Sequence, residues 1–295
     1  METESEQTMA VLVAGSTGYL GRFVVQEFKR QGHWVRALAR NAERLAEPGP
    51  FMAPAVRDQI DDLFLGEVTD PETLDGLCDG IEVVFSSVGM TRQKDELSFH
   101  DVDYQGNKNI LDRALEASVE KFVYVSVYNA HLMEHLAIIK AHEDFVRELQ
   151  ASGLPHTVIR PTGYFSDIGE YYQMAKSGRA YLFGDGEKLL NPIHGADLAW
   201  VCVDAATGSG AEVPAGGPVA YSQNEIAALA FSTLDKAPKI THIPAWMAKA
   251  GIKTMRLFDG HGADLLDFFV TAGQYENVAP QFGTHTLEDY FRALG

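Results

Sequence analysis

The chain is poor in cysteine and in positive charge, and it has no long apolar run. Among 295 residues only Cys78 and Cys202 are cysteines, and there is no CxxC pair. Two thiols cannot build a disulfide framework; they read as buried free thiols in a reducing compartment. Lys and Arg number 24 against 41 Asp and Glu, a net charge of −17. A surface of that sign repels phosphate backbones and anionic membrane surfaces, so no nucleic-acid partner is expected. No run of roughly 18 apolar residues occurs, so no membrane span is expected. The opening METESEQTMA carries Glu2, Glu4 and Glu6 and no apolar h-region. A secretory leader is therefore not expected, and a cytoplasmic protein is the default reading.

Other chemistries are missing too. There is no GxSxG elbow for a serine hydrolase. His131 and His135 stand four apart in HLMEH, but this is not HExxH and no third ligand is implied, so no metal site is expected. Gly184-Asp185-Gly186-Glu187-Lys188 lacks Walker spacing and reads as a tight turn.

What the chain does have is a rhythm of strand and helix. Hydrophobic residues make up 46% and charged residues 22%, the usual globular balance. AVLVAG (10–15) is a short apolar run ending in glycine, as a buried parallel strand would be. Leu20, Val24 and Phe28 then recur at helical spacing. Strands follow at 33–40, 61–68, 81–89, 121–127 and 156–162, with helices at 103–117 and 136–152 and a helix start at Thr69-Asp70-Pro71. This alternation predicts an α/β fold: a Rossmann-type, doubly wound parallel sheet with a smaller C-terminal substrate lobe. The expected division is a tail at 1–8, a dinucleotide-binding domain at 9–162, and a mainly substrate-binding lobe at 163–295 from which 191–206 returns to the core. Thr286 and Asp289 suggest a cap for a last helix at 284–294.

The strongest motif is Gly15-Ser16-Thr17-Gly18-Tyr19-Leu20-Gly21-Arg22, directly between the first strand and the first helix. Glycine lets the backbone turn tightly and approach a pyrophosphate, while the helix start offers free N–H groups and partial positive charge. An NAD site usually has a carboxylate at the end of the second strand for the ribose 2′-hydroxyl. Here the strand ends Ala39-Arg40. A guanidinium suits a 2′-phosphate. The net negative field is screened over about 8 Å in physiological salt, which leaves Arg22 and Arg40 to decide locally in favour of NADP(H). The other reading of Arg40 is a surface arginine paired with Glu43.

In these residues the sequence resembles the atypical short-chain dehydrogenase/reductases, in the branch of NmrA-like proteins, isoflavone-reductase-like enzymes and divinyl chlorophyllide vinyl-reductases. The matching segments are GSTGYLGR, RALAR, VTDPETL (68–74), FSSVG (85–89), VDYQGNKNILDRA (102–114), KFVYVSV (121–127), Lys140, VIRPTGYF (158–165) and YLFGDGEKLLNPIHGADLA (181–199). The resemblance spans residues 10 to 205. It implies that Thr17 to Leu20 cradle the pyrophosphate. Ser86, Ser87, Val88 and Gly89 would lie near the riboses, Lys140 would hold the nicotinamide ribose, and Pro161 and Thr162 would flank the ring. One departure is large. Short-chain reductases carry Tyr-x-x-x-Lys, but Leu136 stands four residues before Lys140. The ammonium has no phenol beside it to activate. Tyr128 and Tyr164, each just past a strand, are the substitute proton-donor candidates, with a bound water as an alternative.

The reading is an NADPH-dependent reductase passing hydride to an activated C=C or carbonyl of a small organic substrate. The rival is a non-catalytic NADP(H) sensor or scaffold of NmrA-like type, and a sugar-nucleotide epimerase or dehydratase is third. No heptad or interface strand demands an oligomer, so a monomer or weak homo-oligomer is expected. Arg40→Ala is expected to weaken NADPH binding more than NADH binding in parallel titrations; equal loss for both would remove Arg40 from the 2′-phosphate.

Overall fold

The computed structural model describes residues 8–90 and 97–295, so most of the tail expected at 1–8 lies outside the described residues. In chain order the elements begin β1 (Ala10–Ala14), α1 (Tyr19–Arg30), β2 (Trp34–Ala39), α2 (Glu43–Ala46), β3 (Asp62–Leu65) and β4 (Val83–Ser86). They continue α3 (Asn107–Glu116), β5 (Lys121–Val125), α4 (Ala137–Ala151), β6 (His156–Pro161), α5 (Phe165–Lys176), β7 (Ala180–Phe183), β8 (Leu189–Leu190) and α6 (Gly195–Thr207). The last are β9 (Glu212–Ala215), β10 (Tyr221–Ser222), α7 (Gln223–Ser232), β11 (Ile240–Ile243), α8 (Ala245–Met255), α9 (Gly260–Ala272) and α10 (Leu287–Ala293).

Seven parallel strands form one sheet in the order β3-β2-β1-β4-β5-β6-β9. This is the expected Rossmann arrangement, with its switch point between β1 and β4. Parallel strands are buried on both faces, which explains their continuous apolar runs. In β1, Val11 and Val13 face α1 and α6, whose Val24, Phe28, Leu198 and Cys202 complete that layer. Leu12 and Ala14 face the other layer, with Ile110 of α3 and Phe145 and Leu149 of α4. Burial explains the inertness of the two thiols; it pushes the Cys78 thiol up to about 12.

Two expected elements differ. Thr69-Asp70-Pro71 opens only a single tight turn at Pro71–Leu74, although Asp70 does cap it through Glu72 N. The helix expected from 103 begins as a wide, π-type turn over His100–Gly106 before α3. The helix of the 191–206 segment, α6, packs on the sheet, and β9 beyond it is the seventh strand. The rest of the C-terminal part has its own core. Phe165 and Tyr172 of α5, Ile226 and Phe231 of α7, and Phe291 of α10 fill it. Helix α7 carries a full capping box of Ser222 and Glu225. At α10 Thr286 accepts from Asp289 N, but the Asp289 carboxylate takes the Thr286 hydroxyl, so only half of a box forms.

A polar bolt ties α4 to the sheet edge. Arg160 of β6 donates to Glu143 Oε1 at 2.7 Å and to Glu212 of β9 at 3.0 Å, and the Ser126 hydroxyl donates to Glu143 at 2.6 Å. Burial pushes the Glu143 carboxyl up, but Arg160 and Ser126 outweigh it and hold it below the usual carboxylate range. Removing one partner of a buried pair leaves the other charge uncompensated. Glu143→Ala should therefore destabilise the protein by about 3 kcal/mol in urea unfolding; a loss within about 0.5 kcal/mol, the range of surface changes, would refute the bolt.

Candidate functional site: a dinucleotide cradle and an adjoining cavity

Because all seven strands are parallel, their carboxyl ends share one edge, and the candidate residues gather there. Gly15 turns the chain out of β1 with φ +84°, in the left-handed region that glycine favours. A Cβ at Gly15 would meet Ser87 Oγ at 2.8 Å, and one at Gly21 would meet the Gly15 carbonyl oxygen at 2.1 Å. The loop and the β4 end thus close on each other across the switch point. Gly18 N donates to Gly15 O at 2.9 Å. The buried Ser16 hydroxyl donates to Leu38 O at 2.7 Å, tying the loop to β2. Helix α1 then starts with Gly18 as its cap residue, no side-chain cap, and no acidic residue in the first turn. Its first N–H groups therefore face no side-chain acceptor of their own, as an anion site needs. Lys29 and Arg30 occupy the last turn, in keeping with the helix dipole. The donor set fits a dinucleotide pyrophosphate, which Thr17, Gly18, Tyr19 and Leu20 would hold through backbone groups.

Arg22 requires a correction. Its side chain is buried, and its guanidinium donates to the carbonyls of Thr17, Arg44, Glu47 and Pro54. The residue braces the 44–54 segment against the loop and is not a phosphate ligand. The reason is local: those turn carbonyls need donors, and a buried guanidinium supplies several at once. Arg40 stays at the mouth, with Nη1 3.3 Å from Glu67 Oε2. Glu67, and not the expected Glu43, is a partner there, just beyond β2 and β3.

Tyr19 is a strut as well as a loop residue. Its hydroxyl accepts from Gly195 N at 3.1 Å, at the start of α6, and its ring packs edge-on to Phe23. Burial pushes its phenol well up. At the β4 end, Val88 N donates to Ser86 Oγ, and Asn107 bridges Ser86, the Val88 carbonyl and the Asp103 carbonyl. Sequence reasoning passed over Asn107; its place in a helix pattern showed no sign of this role. At the β6 end, the Thr162 hydroxyl donates to Asn191 O at 2.6 Å and Thr162 N donates to the carbonyl of Ala215, the residue that pairs with Pro161 where β6 meets β9. The Pro161 carbonyl accepts from Tyr128 N.

The two substitute phenols are placed differently. Tyr128 donates to the Val278 carbonyl at 3.2 Å. Tyr164 is partly buried beside Tyr19, with ring centroids 6.1 Å apart, and burial with Asp167 nearby pushes its phenol well up. Leu136 is buried at the start of α4. Lys140, 62% exposed, pairs with Asp144 at 2.6 Å on the same helix. Both line a cavity of about 450 Å³ between α4, the wide turn after β4 and α9, with Phe99, His100, His261 and Asp264. His261 stacks on Phe99 at 4.7 Å, and its Nε2 is buried without a partner. His131 and His135 are exposed and lie outside any common helix, and no cluster able to hold a metal occurs among the described residues.

Behind Gly89 lies a buried polar chain. Tyr124 Oη is 2.6 Å from His142 Nδ1. Asp103 Oδ2 accepts from Met90 N, while Oδ1 lies 3.3 Å from His142 Nε2 without forming an aligned hydrogen bond. Burial pushes the Asp103 carboxyl well up and the His142 imidazole down to about 4. Both shifts run toward the neutral forms. At the other side of the sheet, burial and the stacked His285 push His194 down to about 4.

The comparisons with known proteins agree with this geometry. The model of an NAD(P)H-binding family matches residues 15–208. The chain belongs to that family. The chain is 28% identical to an Arabidopsis thaliana protein named divinyl chlorophyllide a 8-vinyl-reductase, chloroplastic, over 98% of this chain and 77% of that one. It is 24% identical to the photosystem II assembly factor Ycf39 of Trieres chinensis, over 96% and 86%. Among solved structures it is similar to an Escherichia coli NADPH-dependent quinone oxidoreductase complexed with NADPH, with TM-score 0.74, 20% identity and coverage of 97% and 99%. The Citrobacter sp. triphenylmethane reductase gives TM-score 0.73 at 16% identity, over 97% and 99%. The structural likenesses are of fold. No helix among the described residues is long and apolar enough to cross a membrane.

The two depressed imidazoles give the stability a pH dependence. Both native values lie below the unfolded value near 6.5, so the unfolded chain binds more protons between about pH 6.5 and 4. Their contribution is complete above that window and is lost as pH falls through it; Asp103, with its raised value, acts in the opposite sense. NMR should find the His142 and His194 rings still neutral at pH 5.5. A titration midpoint above 6 for either ring would contradict its burial.

Proposed function

We propose that the protein is an NADPH-dependent reductase acting on an activated C=C bond of a small conjugated substrate. The observation that carries this reading is the uncapped start of α1 in the Gly15–Gly21 cradle, with Arg40 at the end of β2 where a carboxylate would favour the unphosphorylated cofactor. Bound NADPH supplies the hydride. The protein supplies placement. Loop N–H groups would hold the pyrophosphate, Arg40 would exchange Glu67 for the 2′-phosphate, and Pro161 and Thr162 would bound the nicotinamide side. The cavity walled by Lys140, Phe99 and His261 would take the substrate. Hydride addition to a polarised C=C leaves a stabilised carbanion, which would take its proton from water rather than from a dedicated side-chain acid. This suits a chain with Leu136 in place of the tyrosine and with the Tyr128 hydroxyl held by Val278. The vinyl-reductase name of a relative matched over nearly the whole chain supports C=C over C=O as the acceptor.

A second reading, a cofactor-binding scaffold without turnover, is favoured by the Lys140–Asp144 pair and by the relatives named as assembly factors. Thermal-shift titrations with NADPH, NADP⁺, NADH and NAD⁺ come first. A ligand at 100 times its dissociation constant stabilises the native state by about 2.7 kcal/mol, so a clear shift is expected with the phosphorylated pair. NADPH oxidation should then accelerate with a conjugated vinyl or enone acceptor, and saturated analogues should be inert. Selective binding with no acceptor raising the rate would favour the scaffold; no shift with any nucleotide would remove both readings.

A further inference from the structure

We propose that the outer face of the α8–α9 hairpin docks on the headgroup layer of a lipid bilayer. The three most exposed large apolar side chains among the described residues are Phe258 at 88%, Leu257 at 79% and Trp246 at 72%, and Met247 is half exposed beside them. They are not scattered. Trp246 and Met247 sit in the first turn of α8, and Leu257 and Phe258 in the turn that directly follows its last residue, Met255. Ala250, Gly251 and Thr254 lie exposed between them. The opposite face of α8 is where Ile252 packs, with Ala263 and Val270 of α9. Trp246 is thus part of an exposed apolar surface that runs along α8 to the turn after it, the kind of patch that marks an interaction site.

The chemistry of the stripe selects the occupant. From Ala245 to Phe258 the chain carries Lys249, Lys253 and Arg256 and no carboxylate, within a molecule that has 41 acidic residues against 24 basic ones. Lys249 is paired with Asp267, and Arg256 with Asp264 and Asp267, on the inner side of the hairpin. Lys253 makes no ion pair among the described residues and stands in the middle of the stripe, seven residues after Trp246 and four before Leu257. Asp259 beyond the tip turns back to cap α9 through Gly262 N at 2.8 Å. Tryptophan, phenylalanine and leucine around one free lysine form an interfacial surface: the rings enter the headgroup boundary and the ammonium meets a lipid phosphate. The net negative charge does not forbid this, because it is screened within about 8 Å while the stripe itself is neutral to positive. A second copy of the chain fits less well. A two-fold contact along the stripe would set Lys253 against its own symmetry mate. The tip also leads to the cavity, since His261 and Asp264 of the first α9 turns line it.

Vesicle flotation tests this without cofactor, so its outcome is separate from that of the reductase reading. The probes are phosphatidylcholine vesicles and phosphatidylcholine vesicles containing phosphatidylglycerol. The wild-type chain should float with both. Leu257→Ser with Phe258→Ser should lower the partition at least tenfold, and Trp246→Ser alone severalfold. Lys253→Glu should weaken binding severalfold only where phosphatidylglycerol is present. All these positions are exposed, so melting temperatures should hold, and Trp246→Ser serves if the double variant does not fold. Failure of the wild type to float with either vesicle would overturn the proposal, as would equal flotation of folded variants. A wild-type dimer in light scattering that the double variant lacks would assign the stripe to a second copy instead.

Discussion

At Gly21 the first turn of α1 passes so close to the end of β1 that a side chain there would overlap the Gly15 carbonyl. Much of the carboxyl edge follows from that approach. It points the helix N-terminus into the gap between β1 and β4. It brings Phe23 against Gly195, where a Cβ would come within 2.3 Å of the ring, and so seats the start of α6. It also directs Arg22 back into the 44–54 turn. One missing methyl group therefore aligns an anion site, a helix pair and a surface turn.

Next to this cradle stands a set of ionisable groups whose burial favours their neutral forms. Asp103 and Tyr124 are buried and His142 nearly so, and each is shifted toward its neutral form. The Glu143–Arg160–Glu212 network is the exception. It lies on the β6–β9 side, with ion pairs inside hydrogen-bonding distance.

The sequence was most legible where local chemistry and fold agreed. The strand–glycine loop–helix unit, the apolar runs of β1, β4 and β5, and the amphipathic α4 each announce themselves within about ten residues. What was hidden depended on closure in three dimensions. Tyr19 meets Gly195 across 176 residues, and Asn191 meets Ala279 across 88. No periodicity encodes such pairs. β9 was hidden for a different reason: it is four residues long and contains Pro214, which an edge position tolerates because one side of the strand has no partner. Arg22 misled because an arginine in a phosphate loop looks like a ligand until the nearby carbonyls are counted. The resemblance located the candidate residues along the chain, but the Tyr128 and Lys140 partners depend on the loop at 276–279 and on Asp144.

Asn191 carries one more implication. Its buried side chain donates to Gly217 O and Ala279 O and accepts from Ala279 N, while its main chain meets Thr162 and Gly217. A single amide thus knots together the end of β6, the 216–217 turn and the 277–279 segment. Hinge bending between sheet and lobe at this point would break several buried hydrogen bonds at once, each leaving an unsatisfied group. That cost favours a lobe held in one position against the end of β6.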